Sequence, residues 1–109
     1  MNDEPTEITE DGFKIWRNSK GQIHRDNNKP ALISPDGRCE WWIDDKYHRD
    51  NDLPAIICPN DYCSWWQNGR MIKDKYCTKA EAEEYRKPYY LQKPKKKFIK
   101  FDRFEKLIK

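Results

Sequence analysis

The feature of the sequence that most constrains the fold is an internal repeat with a period of 24 residues. His24–Ala31 reads HRDNNKPA, and His48–Ala55 reads HRDNDLPA. Residues that recur 24 positions later are His24, Arg25, Asp26, Asn27, Pro30, Ala31, Ile33, Pro35, Cys39, Trp41 and Trp42. A fixed period of this length is typical of an array of small units, each of which buries its core against its neighbours.

The array divides the chain into segments. After an acidic N-terminal segment (1–10), the repeat copies cover about 11–35, 36–59 and 60–76. The third copy is partial, since Ile72 and Lys73 stand where the earlier copies have His and Arg. A short helix is predicted within 77–88, and residues 89–109 form a basic aromatic arm.

Each copy reads as short strands joined by tight turns. RCEWWID and PAIIC are rich in aromatic and β-branched residues. Turn-forming residues bound these segments, namely Asp-Gly, Asn-Gly, Asp-Asp and proline. Prolines at positions 30, 35, 54 and 59 would interrupt a helical repeat. The pattern predicts a mainly β fold, an antiparallel β-meander of stacked hairpins.

The pattern of Trp, a short turn, His-Arg-Asp, Pro-Ala, two apolar residues and Asp-Gly resembles MORN-type repeat variants found in proteins of large DNA viruses and some bacteriophages. The resemblance covers about residues 11–74. It implies an elongated β-hairpin scaffold for protein contacts, and in some members lipid contacts. Asp45 and Asp61 depart from the family's turn glycines, and each of the first two copies carries His-Arg-Asp, which disfavours lipid binding by analogy with the family.

The tripeptide His-Arg-Asp also begins the catalytic loop of protein kinases, but a catalytic loop has no reason to occur twice. The sequence contains neither a glycine-rich phosphate loop nor an Asp-Phe-Gly turn. Equivalent residues of successive hairpins should lie about 10 Å apart, too far for the two histidines to share a metal ion. We expect each motif to stabilise a hairpin corner; a surface ladder of ligand sites is the alternative. The residues given this structural role are His24, Arg25, Asp26, Pro30, His48, Arg49, Asp50 and Pro54.

The cysteines suggest burial rather than chemistry. The four cysteines form no Cys-x-x-Cys pair, and Cys39 and Cys63 occupy equivalent repeat positions. A small apolar core position used twice is the simplest interpretation, while zinc would require ligands that converge only in the fold. The sequence therefore predicts no cofactor, no metal site and no catalytic residue, and we expect the protein not to be an enzyme.

Adjacent tryptophans occur twice, as Trp41–Trp42 and Trp65–Trp66. Neighbouring residues of a strand point to opposite faces of a sheet, so each pair should place aromatic surface on both faces. Either another segment, such as the C-terminal part, covers the second face, or that face binds a partner.

The C-terminal part adds a helix and a charged arm. Thr78 and Glu81 form a capping-box pattern that predicts a short helix, which Pro88 ends. Phe98, Phe101, Phe104 and Ile108 are spaced to form one stripe of a further helix. From position 93 onward there are eight basic and two acidic residues, a balance of +6, whereas the first twelve residues have a balance of −5.

These features favour a non-enzymatic structural or protein-interaction module, viral by resemblance, whose arm docks on a protein partner or on another copy. The alternatives are nucleic acid held by its phosphates through Lys93–Lys109, without base specificity, and an anionic membrane surface. We expect an intracellular protein, in the host cytoplasm or nucleus or in the virion, neither secreted nor transmembrane. The candidate partner-binding residues are Trp41, Trp42, Trp65, Trp66, Lys95, Lys96, Lys97, Phe98, Phe101, Phe104 and Ile108.

Overall fold

The computed structural model describes residues 3–87, and within them the chain is mainly β with one short helix. The elements are β1 (Glu7–Ile8), β2 (Lys14–Ile15), β3 (Leu32–Ile33), β4 (Cys39–Glu40), β5 (Trp42–Ile43), β6 (Lys46–Tyr47), β7 (Ile56–Ile57), β8 (Tyr62–Gln67), β9 (Arg70–Tyr76) and α1 (Lys79–Tyr85). The predicted antiparallel β-structure is confirmed. The predicted arm, with the candidates Lys95, Lys96, Lys97, Phe98, Phe101, Phe104 and Ile108, lies outside the described residues.

Seven of the strands form one antiparallel sheet in the order β1-β2-β3-β4-β7-β8-β9, and β5 and β6 form a second sheet. The simple meander expected from the sequence is therefore interrupted, because β4 pairs with β7 across an intervening hairpin. The interruption lies at Trp41, which belongs to no strand. Its amide donates to the carbonyl of Ala55 at 2.7 Å, and its carbonyl accepts from the amide of His48 at 3.1 Å.

The core lies around the first tryptophan of each adjacent pair. Trp41 and Trp65 are buried, and Ala82 of α1 is fully buried against the same cluster. The cluster consists of Cys39, Trp41, Ala55, Ile57, Cys63, Trp65 and Ala82. The ring of Tyr85 meets the ring of Trp65 edge-on at 6.1 Å. Helix α1 thus completes a core that the short strands alone would leave partly open.

The predicted helix cap is also confirmed. Thr78 Oγ1 accepts from the amide of Glu81 at 3.0 Å, and Glu81 Oε1 accepts from the amide of Thr78 at 2.9 Å. These bonds satisfy amides that have no partner within the helix. No helix of the described part of the chain is both long and apolar enough to cross a membrane.

Tight turns with a left-handed backbone join the strands. The β5–β6 hairpin turns at Asp44 and Asp45, with φ of 49° and 69°, and the β8–β9 hairpin turns at Asn68 and Gly69, with φ of 50° and 83°. Positive φ at both central residues matches the twist of hairpin strands, and Asn, Asp and Gly adopt it most readily. Asp45 therefore has the position in its hairpin that Gly69 has in the β8–β9 hairpin.

A second turn type joins β3 to β4 and β7 to β8. In it Gly37, with φ of 96°, and Asp61, with φ of 70°, occupy corresponding positions. The amide of Gly37 donates to the carbonyl of Ser34, and that of Asp61 to the carbonyl of Cys58, both at 3.0 Å. A Cβ added at Gly37 would meet nothing within 4 Å, so only the backbone conformation disfavours a side chain there.

We predict that Gly37→Ala lowers the free energy of unfolding by about 1–2 kcal/mol, the usual cost of a left-handed conformation in a residue with a Cβ. Gly37→Asp is the matched control, because Asp61 already occupies the corresponding turn, and it should cost less. Urea unfolding curves of the two variants measure both values. Equal losses of unfolding free energy in the two variants would contradict the correspondence between the turns at Gly37 and Asp61.

Candidate functional site at the His-Arg-Asp motifs

The second His-Arg-Asp motif places a guanidinium against the face of a buried tryptophan. Cζ of Arg49 lies 3.7 Å from the ring centroid of Trp41. Arg49 Nε donates to Oδ1 of Asn28 at 2.7 Å, and Nη1 donates to the carbonyl of Pro54 at 3.1 Å. Trp41 Nε1 donates to the carbonyl of Asn28 at 3.0 Å. The ring and the cation therefore hold the same residue of the preceding motif.

The first motif repeats this arrangement with a carboxylate. Cζ of Arg25 lies 3.8 Å from the ring centroid of Trp16, and Nη1 donates to the carbonyl of Pro30 at 3.0 Å. Arg25 Nε and Nη2 donate to the two carboxylate oxygens of Asp3 at 3.3 and 2.8 Å. Trp16 Nε1 donates to the carbonyl of Asp3 at 3.1 Å. Asp3 thus has the position relative to Trp16 that Asn28 has relative to Trp41.

The third arrangement uses a lysine. Nζ of Lys73 lies 4.9 Å from the ring centroid of Trp65 and 3.4 Å from Oδ1 of Asp52. Trp65 Nε1 donates to the carbonyl of Asp52 at 3.0 Å. We refer to Trp16–Arg25, Trp41–Arg49 and Trp65–Lys73 as the tryptophan–cation pairs. Lys73 stands where the first two copies have arginine. The lysine keeps a positive charge over the ring but lacks the planar fork of donors of a guanidinium.

Both histidines use both ring nitrogens in hydrogen bonds. Nδ1 of His24 accepts from the amide of Asp44, and Nδ1 of His48 accepts from the amide of Asn68, each at 3.1 Å. Nε2 lies 2.8 Å from Oδ1 of the aspartate two residues later, Asp26 or Asp50. Acceptance at Nδ1 assigns the proton to Nε2, which donates to the carboxylate. Each imidazole therefore ties a hairpin turn to its own motif.

Arg49 differs from Arg25 and Lys73 in the charge of the side chain that it contacts. Asn28 offers a neutral amide where Asp3 and Asp52 offer carboxylates. Burial lowers the pKa of Arg49 from 12.5 to about 9, so that its guanidinium is still charged at neutral pH. Nη2 donates to the carbonyl of Lys87 at 3.0 Å, just beyond α1. A carbonyl that accepts a hydrogen bond from a charged donor stabilises the charge, so this bond supplies part of the compensation.

The ion pair at Asp3 makes the first motif sensitive to acid. Hydrogen bonds from Arg25, and next from Lys29, lower the pKa of Asp3 from 3.8 to about 2. A carboxylate whose pKa is lower in the folded state stabilises that state above its unfolded pKa, and the contribution is lost as the pH falls through the folded value. The contribution should be at most about 1 kcal/mol, because ion pairs this exposed contribute little.

The second tryptophan of each adjacent pair lies in a separate aromatic group. The ring of Tyr47 lies 4.2 Å from that of Trp42 and 4.9 Å from that of Trp66. Trp42 Nε1 donates to Oε1 of Glu40 at 2.9 Å, and Trp66 Nε1 donates to Oγ of Ser64 at 2.8 Å. Trp42 and Trp66 are half-buried, whereas Trp41 and Trp65 are buried. Of the four candidate tryptophans, only Trp42 and Trp66 therefore present surface to a partner.

Two open cavities adjoin the motifs. One of about 400 Å³ lies beside Trp16 and His24, and one of about 210 Å³ lies beside Trp42 and His48. Arg25, Asp26 and Asn27 line both cavities. Among the lining residues, the side chains of His24, Arg25 and Asp26 beside the first cavity and of His48, Arg49 and Asp50 beside the second make the contacts described above.

The two buried thiols, those of Cys39 and Cys63, are not placed for chemistry. Burial raises the pKa of Cys39, and burial together with the adjacent Cys77 raises the pKa of Cys63 to about 12. Both therefore stay protonated at neutral pH, whereas nucleophiles and metal ligands are thiolates. Among residues 3–87, no three His, Cys, Asp or Glu side chains are grouped to hold a metal ion.

The structure adds residues that the sequence reasoning did not single out. Asp3, Asn28 and Asp52 each hold both members of a tryptophan–cation pair. Each is an Asp or Asn two positions before a proline, at Pro5, Pro30 and Pro54 respectively. This pattern is visible in the sequence, although its partners lie 13 or more residues away.

We predict that Asn28→Asp raises the free energy of unfolding by about 1–3 kcal/mol, because hydrogen bonds to charged groups are stronger than neutral ones. The buried Nδ2 of Asn28 has no hydrogen-bond partner among the described residues, so its loss costs little. Thermal unfolding at pH 7 measures the gain. The gain should diminish in acid, as the new carboxylate becomes protonated. Asn28→Ala is the control and should destabilise; a destabilising Asn28→Asp would contradict this account of Arg49.

Comparison of the chain with protein-family models, curated proteins and solved structures gives no match. Interpretation of these motifs therefore depends on their contacts.

Proposed function

We propose that the chain is a non-enzymatic structural or protein-interaction module built from 24-residue MORN-type repeats, viral by resemblance. Its β-structure serves as a rigid scaffold, and residues 89–109 dock on a protein partner or on another copy. The observation that carries the proposal is the use of the same side-chain contacts at His24–Asp26 and His48–Asp50 to hold the backbone.

The correspondence of contacts supports the repeat. The amides of Arg25 and Arg49 donate to the carbonyls of Trp42 and Trp66, at 3.2 and 3.3 Å. Both donor and acceptor are displaced by 24 positions, and each bond joins one motif to the following hairpin. In repeat proteins, stability arises from such contacts between neighbouring units.

The engagement of the repeated His and Arg side chains supports a scaffold over an enzyme. A general base must reach a substrate proton through a free lone pair. Nδ1 of His48 already accepts from the amide of Asn68, and its Nε2 donates to Asp50. The guanidinium of Arg49 is buried against an indole ring. The tripeptide shared with kinases here supplies structure instead of catalysis.

The arm supports docking through apolar side chains placed among lysines. Phe98, Phe101, Phe104 and Ile108 have helical spacing, and Lys95, Lys96 and Lys97 precede them. The same lysines favour the second candidate function, contact with nucleic-acid phosphates, since the balance from position 93 onward is +6. The two functions require different side chains.

We predict that Phe101→Ala combined with Phe104→Ala weakens partner capture or stability more than Lys95→Gln, Lys96→Gln and Lys97→Gln combined. Burial of an aromatic side chain contributes about 1.5–3 kcal/mol, whereas exposed charges contribute about 0–1 kcal/mol. Thermal unfolding measures stability, and cross-linking in the cells that naturally contain the protein measures partner capture for both full-length variants.

Fluorescence anisotropy with a labelled DNA duplex and with RNA, at several salt concentrations, provides the control. The scaffold function predicts no saturable binding at moderate salt. Tight, salt-sensitive binding that the lysine changes abolish and the phenylalanine changes leave intact would favour the nucleic-acid function. Cosedimentation with anionic vesicles instead would favour a membrane surface.

A further inference from the structure

Strand β9 forms an open edge of the seven-stranded sheet. It spans Arg70–Tyr76, pairs with β8 on one side, and has no second partner among the described residues. All seven of its residues are exposed, including Met71, Ile72 and Tyr76 at 53, 60 and 70%. A long exposed edge of this kind can receive a further strand from another chain.

The backbone of β9 has hydrogen-bonding groups directed outward. The amide of Cys77 donates to the carbonyl of Asp61 at 2.9 Å, toward β8. Register is regular between Lys73 and Tyr76. Residues of an antiparallel strand alternate in the side to which their N–H and C=O groups point. The groups of Asp74 and Tyr76 therefore point away from β8.

The side chains of β9 differ between the two faces of the sheet. Asp74 and Tyr76 both contact Tyr62, through a hydrogen bond and a ring contact respectively. Lys73 lies over the ring of Trp65, and Lys75 lies 3.8 Å from Glu81 of α1. Both lysine side chains remain more than half exposed. One face of the edge is therefore cationic, while the other ends in an exposed aromatic ring.

Charge disfavours a second copy as the added strand in the two registers centred on Asp74 and Lys75. Antiparallel pairing of two β9 strands about a twofold axis at Asp74 would oppose Asp74 to Asp74 and Lys73 to Lys75. An axis at Lys75 would oppose Lys75 to itself. Like charges directly opposite each other destabilise a strand pair. Lysines on an edge are also a common protection against self-association.

The chain's own C-terminal segment is disfavoured by the same argument. Residues 93–109 have a balance of +6, while β9 carries Arg70, Lys73 and Lys75 against Asp74. An acidic strand would instead pair opposite charges along the cationic face.

We propose that the outer edge of β9 binds an extended segment of a partner protein in which acidic and apolar residues alternate. The acidic residues lie against Lys73 and Lys75, and the apolar residues lie on the side of Tyr76. Alternation is required because neighbouring residues of the added strand face opposite sides of the sheet. This inference deepens the proposed interaction function and rests on it.

The test uses the full chain and an acetylated, amidated peptide of sequence VEVEVEV, with VKVKVKV as its charge-reversed control. NMR titration should show saturable binding of the acidic peptide at least about tenfold tighter than that of the basic one, since each tenfold corresponds to 1.4 kcal/mol. Bound acidic peptide should slow hydrogen exchange at the amides of Asp74 and Tyr76. Lys73→Gln with Lys75→Gln should remove most of the preference between the peptides.

Asp74→Pro separates strand addition from simple charge attraction. It removes an outward-pointing amide without removing a bond to β8, so binding of VEVEVEV should be lost while the protein stays folded. Asp74→Ala is the matched control: it also loses the contact to Tyr62 but keeps the amide, and it should bind. If Asp74→Pro unfolds, the exchange measurement on the unchanged protein decides alone.

Equal binding by Asp74→Pro and Asp74→Ala, or binding without slowed exchange at Asp74 and Tyr76, would overturn the proposal. Slow hydrogen exchange at these amides in the absence of peptide would also overturn the proposal. If that exchange rate depends on protein concentration, a second copy occupies the edge. If it does not, the chain's own arm occupies it. Absence of binding would overturn the proposal too. Except for the outcome that places the chain's own arm on β9, these results do not bear on the phenylalanine variants, which test the proposed function through another segment.

Discussion

The contact between a cation and the face of a tryptophan is the interaction on which the rest of the described structure depends. In each tryptophan–cation pair the indole N–H and the cation reach the same Asp or Asn of the preceding segment. Carbonyls of Pro30 and Pro54 accept from the two arginines. Strands of two residues cannot hold a sheet together by their ladder bonds alone, since isolated hairpins are marginal in water. Side-chain contacts between consecutive segments supply what the short ladders lack.

Left-handed turns and histidines position these pairs. Asn28 and Asp52 have φ of 58° and 57°, a conformation that Asn and Asp tolerate and that directs both carbonyl and side chain to the next motif. His24 and His48 hold the neighbouring hairpin turns through Nδ1. The ionisable groups of both His-Arg-Asp tripeptides are thus engaged with the backbone and with each other.

Much of this architecture can be predicted from the sequence, and what cannot has a physical reason. Strand composition, turn residues and the capping box at Thr78 are local signals, and they predicted the β-structure and α1. The displacement of 24 predicted that the two motifs would behave alike. The departure of the chain from the sheet at Trp41 was not predictable, because it depends on bonds to Ala55 and His48. The roles of Asp3, Asn28 and Asp52 were not predictable either, because their partners are distant in sequence. Each of the three residues nevertheless lies two positions before a proline.

A double-mutant cycle on Trp41 and Arg49 tests the central claim most directly. The free energy of unfolding is measured in urea for Trp41→Leu, Arg49→Met and the double variant, with Trp65→Leu and Lys73→Met as the comparison cycle. Desolvated cation–aromatic contacts contribute about 2 kcal/mol and exposed ones about 0.5–1 kcal/mol. The buried pair should therefore show a coupling energy of about 2 kcal/mol, and the more exposed lysine pair should show less. Additivity within about 0.5 kcal/mol at Trp41 and Arg49 would mean that the two side chains act independently, and would contradict the account.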